Sequence, residues 1–327
     1  MSDPLAFLPL ALAGANGTLN EVPVRRLVAS GVALLQRCAP LVRALHGRRA
    51  AILLPPSPSL MVALAASDGR AALLLDAQGA DEAIAQALAP GDAAAVFTVA
   101  SLAARLPAAM PRVLLDEAPE RATWQREGEE RPVDLTLHGG LRLEGEADVP
   151  GANEEVLVAD AGDPWREAFG TPLTHRRLLA VVRAIAAHEQ LAARDHTLAL
   201  VSLSRLFGVV VGALAPLIAG GRVTAHRDLA SDEALALLEA GGVSRLVAEP
   251  ATFASMLETL ARRGRPLDAP VLQHCLAGGG ALDAALAKQW YHETGVLLHR
   301  ADVVGEEGSL AWDIRESGSR TDHDPAR

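Results

Sequence analysis

Lysine is almost missing from this chain: Lys288 is the only one in 327 residues, and every other basic side chain is Arg or His. Lysine is the usual compact point charge on phosphate oxygens, so chemistry that depends on one is narrowly limited here. Aromatic residues make up 3% of the chain against 50% apolar residues overall, so the core must be built from Ala, Leu and Val. A basic excess is also lacking. The net charge of −10 excludes the phosphate neutralisation that a nucleic-acid partner requires. Two cysteines, Cys38 and Cys275, have neither metal-ligand spacing nor a disulfide framework, which fits a reducing cytoplasm. No long apolar run survives either: 51–72 is broken by Pro55, Pro56, Pro58 and Asp68, and 208–221 is too short to span a bilayer. Asp3 and the lack of a basic stretch argue against a secretion signal.

What is present is an alternation of strands and helices. In the second half, Leu178, Val181, Val182 and Ile185 have helical spacing, and strands are predicted at 198–203, 222–226, 244–249, 271–277 and 296–304. Helices are predicted between them at 208–219, 231–241, 250–264 and 283–294. Gly220-Gly221 gives a left-handed stop, and Pro250 stands at a helix start, where its missing N–H costs least. The first half repeats the rhythm: helix 22–46, strand 50–54, helix 57–67, strand 71–75, helix 81–88 and strand 94–98. Strands joined by helices of this length imply parallel βαβ units. The reading is an α/β protein with two Rossmann-like lobes. The first covers 1–150, including an acidic connector over 118–150; the second covers 151–315; a polar tail covers 316–327.

Several segments, in order, resemble the N-terminal domain of the adenylate-forming superfamily of acyl-CoA synthetases, aryl ligases and adenylation domains. They are Ala51-Ile-Leu-Leu-Pro-Pro-Ser-Pro-Ser-Leu60, Ala71-Ala-Leu-Leu-Leu-Asp76, Leu173-Thr-His175, Ser202-Leu-Ser-Arg-Leu-Phe-Gly208, Leu214-Ala-Pro-Leu-Ile-Ala-Gly-Gly221, Ala248-Glu-Pro-Ala-Thr252 and Leu276-Ala-Gly-Gly-Gly-Ala-Leu282. The resemblance implies ATP-dependent carboxylate activation through an acyl-adenylate, with ATP/AMP and Mg²⁺ as cofactors and an acyl or aryl carboxylate as ligand.

Carried over residue by residue, the pattern is incomplete. Where the family has a glycine-rich phosphate loop ending in Lys-Gly, this chain has Gly162-Asp-Pro-Trp-Arg-Glu-Ala-Phe-Gly170. Gly170 matches, Phe169 stands at the lysine position, Asp163 and Glu167 bring negative charge, and Arg166 is the one cation able to compensate. A carboxylate roughly 4 Å from a phosphate oxygen costs about 4 kcal/mol at an effective dielectric near 20, so the expectation is a loop that no longer grips phosphate. Gly278, Gly279 and Gly280 correspond to the adenine wall, or serve only as a turn. Asp302 falls where the resemblance places an aromatic stacked on adenine, Gly305 where it places a phosphate-binding Thr, and Glu306 matches the Mg²⁺-binding Glu or is a solvated turn residue. Arg205 and Phe207 fall at the acyl pocket. Arg205 either holds an acidic substrate or extends to solvent.

The resemblance also implies a ribose-binding Asp and a lid with a catalytic Lys, expected beyond residue 327. The expectation is therefore a truncated pseudoenzyme that binds a ligand, or a protein partner in place of the missing region. The alternative is an active acyl/aryl-AMP ligase completed by a separate lid protein. No G-x-S-x-G elbow is present, and 292–296 lacks the second His of a zinc-protease helix.

Overall fold

The computed structural model describes residues 8–46, 48–67, 72–89, 93–116, 120–136, 155–159, 171–226, 228–306 and 309–316. Among the described residues, sixteen strands form two eight-stranded sheets. In chain order they are β1 (Thr18–Leu19), β2 (Val22–Pro23), β3 (Arg49–Leu53), β4 (Ala72–Leu74), β5 (Ala93–Thr98), β6 (Arg112–Leu115), β7 (Arg121–Arg126) and β8 (Glu129–Asp134). There follow β9 (Glu155–Ala159), β10 (Thr171–Thr174), β11 (His196–Leu200), β12 (Arg222–Ala225), β13 (Arg245–Ala248), β14 (His274–Ala277), β15 (Leu298–Glu306) and β16 (Ser309–Glu316). One sheet runs β10-β9-β4-β3-β5-β6-β7-β8 and the other β16-β15-β14-β13-β11-β12-β1-β2. The centre of each is parallel and antiparallel strands close both ends. The two-lobed α/β architecture predicted from the sequence is therefore the one found.

The second sheet is not continuous in the chain: it takes β1 and β2 from the amino-terminal end, with β1 beside β12, whereas the first uses β3 to β10 without interruption, with β9 beside β4. Strand alternation shows how the layers stack. On β3, Ala50 and Ile52 face the largest core, while Ala51 and Leu53 face a smaller one. On β11, Ala199 faces that same large core, while Leu198 and Leu200 face a third around Phe253 and Trp290. The large core is thus shared by both sheets. Its helices include Val24–Arg37, Ser59–Ala66, His175–His188 and the 208–218 segment. Ser59–Ala66 is buried at every residue, and it meets Val24–Arg37 where Gly31 lies against Ala65.

Two expectations need correction, and two further features go beyond what was predicted. The helix predicted over 22–46 is two helices, Val24–Arg37 and Ala39–Leu45, bent by 92° at Cys38. Pro40 in the first turn of the second suits a start and not a continuation. The stretch assigned to an acidic connector contains β7 and β8, a hairpin turning on Glu127 and Gly128, both at positive φ. The segment 208–214 is a fully buried π-helix that becomes α-helical at Ala215–Ile218. β16, within 309–316, extends the second sheet antiparallel to β15. Among the described residues no single helix is long and apolar enough to cross a membrane.

Candidate functional site

In the second sheet the chain passes from β11 to β12 on one side and then crosses back to β13 on the other. Such a reversal opens a crevice at the carboxyl ends of the strands, the usual ligand position in a sheet of this kind. The loop after β11 (201–207), Glu249 after β13 and Gly278–Gly280 after β14 border it.

The loop after β11 is held from within. Ser202 Oγ and Ser204 Oγ are 2.7 Å apart, and the π-helix then packs onto the loop so closely that a Cβ on Gly208 would stand 1.9 Å from the Ser202 carbonyl oxygen. No side chain fits there, so glycine is required. That packing fixes Phe207, whose ring lies over Gly278: a Cβ there would be 2.5 Å from Phe207 Cε2 and 2.3 Å from the Ala301 carbonyl oxygen. Gly279 is at φ +76°, with Glu249 Cγ and Phe207 Cδ1 just under 4 Å from where its Cβ would be. Gly279 and Gly280 are exposed. The triple glycine therefore serves two ends: Gly278 admits the Phe207 ring, and Gly279 and Gly280 leave open backbone beside Glu249 and Pro250.

Arg205 crosses toward the other sheet. Its guanidinium Nη2 lies 3.9 Å from Oδ2 of Asp76, which follows β4, and its buried Nε has no hydrogen-bond partner. The guanidinium is about one-third exposed, so it is neither extended into solvent nor sealed away. Nearby, Gln78 Nε2 donates to both carboxylate oxygens of Asp228 at 2.5 Å, a second link between the sheets. Asp302 forms an ion pair with Arg300 at 2.7 Å, so the residue at the adenine-stacking position is held by its own strand. Glu306 ends β15 opposite Ser309; its side chain, together with Arg166 and Gly170, lies outside the described residues.

Asp76 and Glu249 were not singled out as site residues in the sequence. Glu249 directly follows a parallel strand and Asp76 comes two residues after one, which is the signal that marks them. Neither thiol supplies a nucleophile: burial pushes Cys275 up to about 12 and raises Cys38 as well. Among the described residues no group of His, Cys, Asp and Glu is arranged to hold a metal.

His175 opens its helix with its ring fully buried, and Nδ1 accepts a hydrogen bond from the Leu8 N–H at 3.0 Å. Its environment is that of a core residue joining the N-terminal helix to the second half of the chain.

The polar residues at the opposite, amino-terminal edge of this sheet are structural. Arg245 opens β13 and pairs with Glu189, both almost wholly buried. His196 Nε2 is 2.8 Å from Thr224 Oγ1 and Nδ1 is 3.0 Å from the Gly242 carbonyl oxygen. Burial, with Arg222 beside it, holds the His196 imidazole below its usual range; burial, with Arg245, does the same to His274.

With the crevice and its glycine shelf in place, comparison with known proteins places the matching segment. Residues 170–301 match the model of the AMP-binding enzyme family. This segment is similar to the AMP-binding enzymes. The chain is 27% identical over 315 residues to a 4-coumarate–CoA ligase-like protein of Oryza sativa subsp. japonica, covering 87% of this chain and 52% of that protein. It thus spans about half the length of the curated relative it matches. In fold it is similar to ATP-bound MatB from Rhodopseudomonas palustris, with TM-score 0.72 and 14% identity over 98% of this chain and 63% of that one. A benzoate CoA ligase from Burkholderia xenovorans LB400 is similar too, with TM-score 0.72 and 15% identity over 97% and 63% of the two chains. The matched AMP-binding segment contains Arg205, Phe207 and the triple glycine; its limits fall just after the 162–169 loop and just before Asp302.

Proposed function

We propose that the crevice binds an acyl or aryl carboxylate, or the corresponding adenylate, and that ATP-driven activation is weak or lost in this chain. The observation that carries the reading is the contrast between the two halves of the crevice. On the acyl side, a partly exposed arginine and an aromatic ring are held in place by a π-helix and two close glycine contacts. On the nucleotide side, Asp302 is engaged by Arg300.

The residues present fit a nucleotide poorly. Open backbone at Gly279 and Gly280, with the Phe207 ring nearby, suits a flat ring system. The triphosphate finds no lysine in 162–170, two carboxylates near the loop, and Gly305 where a hydroxyl is implied. Removing one preorganised electrostatic donor commonly costs about 10²–10³ in rate. Two are replaced here within 162–306. For Mg²⁺ only Glu306 stands at a matching position, so no catalytic step is assigned to the metal or to ATP. What the chain's own residues do is orient: Arg205 faces an anionic group, Phe207 and Gly278 form one wall, and Glu249 borders the open backbone. A protein partner and a cytoplasmic location belong to the same reading, with the deficient nucleotide side as the place where another polypeptide would contribute.

Titration calorimetry with AMP, Mg-ATP, benzoate and a non-hydrolysable acyl-adenylate mimic tests this. Binding of the mimic or the carboxylate is expected, with no ATP–pyrophosphate exchange above background. Exchange by the chain alone at ordinary ligase speed would overturn the proposal.

A further inference from the structure

A second cavity lies far from the crevice, at the amino-terminal edge of the first sheet. It has a volume of about 780 Å³, within the range of small-molecule sites. The wall that carries its charge comes from three elements: Arg43 and His46 at the end of helix Ala39–Leu45, Arg48 just before β3, and Arg126 at the end of β7. Glu129, opposite Arg126 in the β7–β8 hairpin, is the one acidic residue in the lining. Three arginines against one carboxylate give local positive charge in a chain of net charge −10.

Two further features set this cavity apart from an ordinary solvated basic face. Arg43 and Arg126 have no hydrogen-bond or ion-pair partner among the described residues, whereas Arg48 is held by the Ala93 carbonyl oxygen at 3.3 Å. Trp124, fully buried, also lines the cavity, and its indole Nε1–H has no acceptor among the described residues. With no surface open to water, that N–H is out of a ligand's reach, and the indole serves the cavity as part of its apolar wall. The remaining lining is alanine, proline and Met110, an apolar surface suited to the body of a ligand and not to an inorganic ion alone.

We propose that this cavity is a binding site for a small organic anion, a phosphate ester with a compact apolar or aromatic body. Arg43 and Arg126 grip the anionic head and the apolar lining receives the rest. The site is separate from the carboxylate crevice, so it stands or falls independently of the function proposed above.

Phenyl phosphate, titrated into the full chain by calorimetry, is the probe. One saturable site is expected, weakened by roughly tenfold or more in R43Q/R126Q and unchanged in R205Q. Both replaced arginines are exposed, and circular dichroism would verify that the double variant keeps its fold. Inorganic phosphate should bind more weakly and lose its binding in the same variant. Absence of saturable binding, binding that survives R43Q/R126Q, or binding lost in R205Q would each overturn the assignment.

Discussion

The ring of Phe207 rests on Gly278 so closely that no side chain can be added there, with Cε2 2.5 Å from the position of a Cβ. The glycine at the end of β14 is thus explained by an aromatic neighbour from the loop after β11, and the crevice floor depends on both.

Gly278→Ala should destabilise the fold by about 1–3 kcal/mol, as insertion of a methyl into a filled space does. Because the Ala301 carbonyl oxygen is also only 2.3 Å from the Cβ position, F207A should relieve the cost only in part. Urea unfolding of the single and double variants measures this. Full recovery in the double variant would show that the backbone contact yields easily.

Arg205→Gln should weaken benzoate binding by roughly tenfold if the guanidinium meets the carboxylate. Asp76→Asn should leave that affinity unchanged or raise it, because the 3.9 Å approach of Asp76 competes for the same cation. Equal losses in both variants would mean that Asp76 holds Arg205 in its working position.

Glu189→Ala leaves Arg245 buried without its counter-charge and should cost about 3–5 kcal/mol in stability. Glu189→Gln, which retains a hydrogen-bond acceptor, should cost less. Thermal melts rank the two variants, and a neutral effect of Glu189→Ala would mean that water reaches Arg245.

Stability should fall as the pH is lowered below about 6.5, before most carboxylates titrate. His196 and His274 are held below their ordinary range in the fold, so the unfolded chain takes up more protons there and gains free energy as acidity increases. The contribution is complete above the unfolded value of 6.5 and is lost toward each lowered folded value. Melting temperatures from pH 7.5 to 5.5 should decline, with a smaller slope in H196N. Identical slopes in wild type and variant would contradict the assignment.

The α/β alternation was legible because parallel strands buried on both faces read as short apolar runs, as at 198–200 and 246–248. Helix ends at Gly264 and Gly295 were equally plain, since both take the left-handed conformation that glycine permits. The edge strands were not legible. β7 and β8 carry Arg, Glu and Gln, and bury only Ala122 and Trp124 in the first and Val133 in the second, a pattern shared with a polar connector. The pairing of β1 with β12 and of β9 with β4 has no local signal, because partners about 200 and 80 residues away leave none in a short window. Within the site, the glycines and Arg205 could be placed by order along the chain. The Phe207–Gly278 stacking, the Arg205–Asp76 approach and the Asp302–Arg300 pair are tertiary facts.

The place of β1 and β2 bears on how the polypeptide reaches its native state. A ribosome that has released β10 has supplied every strand of the first sheet, while β1 and β2 still wait for a sheet not yet synthesised. The last sheet to be made is closed by the first strands made. Its assembly should therefore come late, and a fragment beginning after β10 should gain full structure only when mixed with the segment that carries β1 and β2.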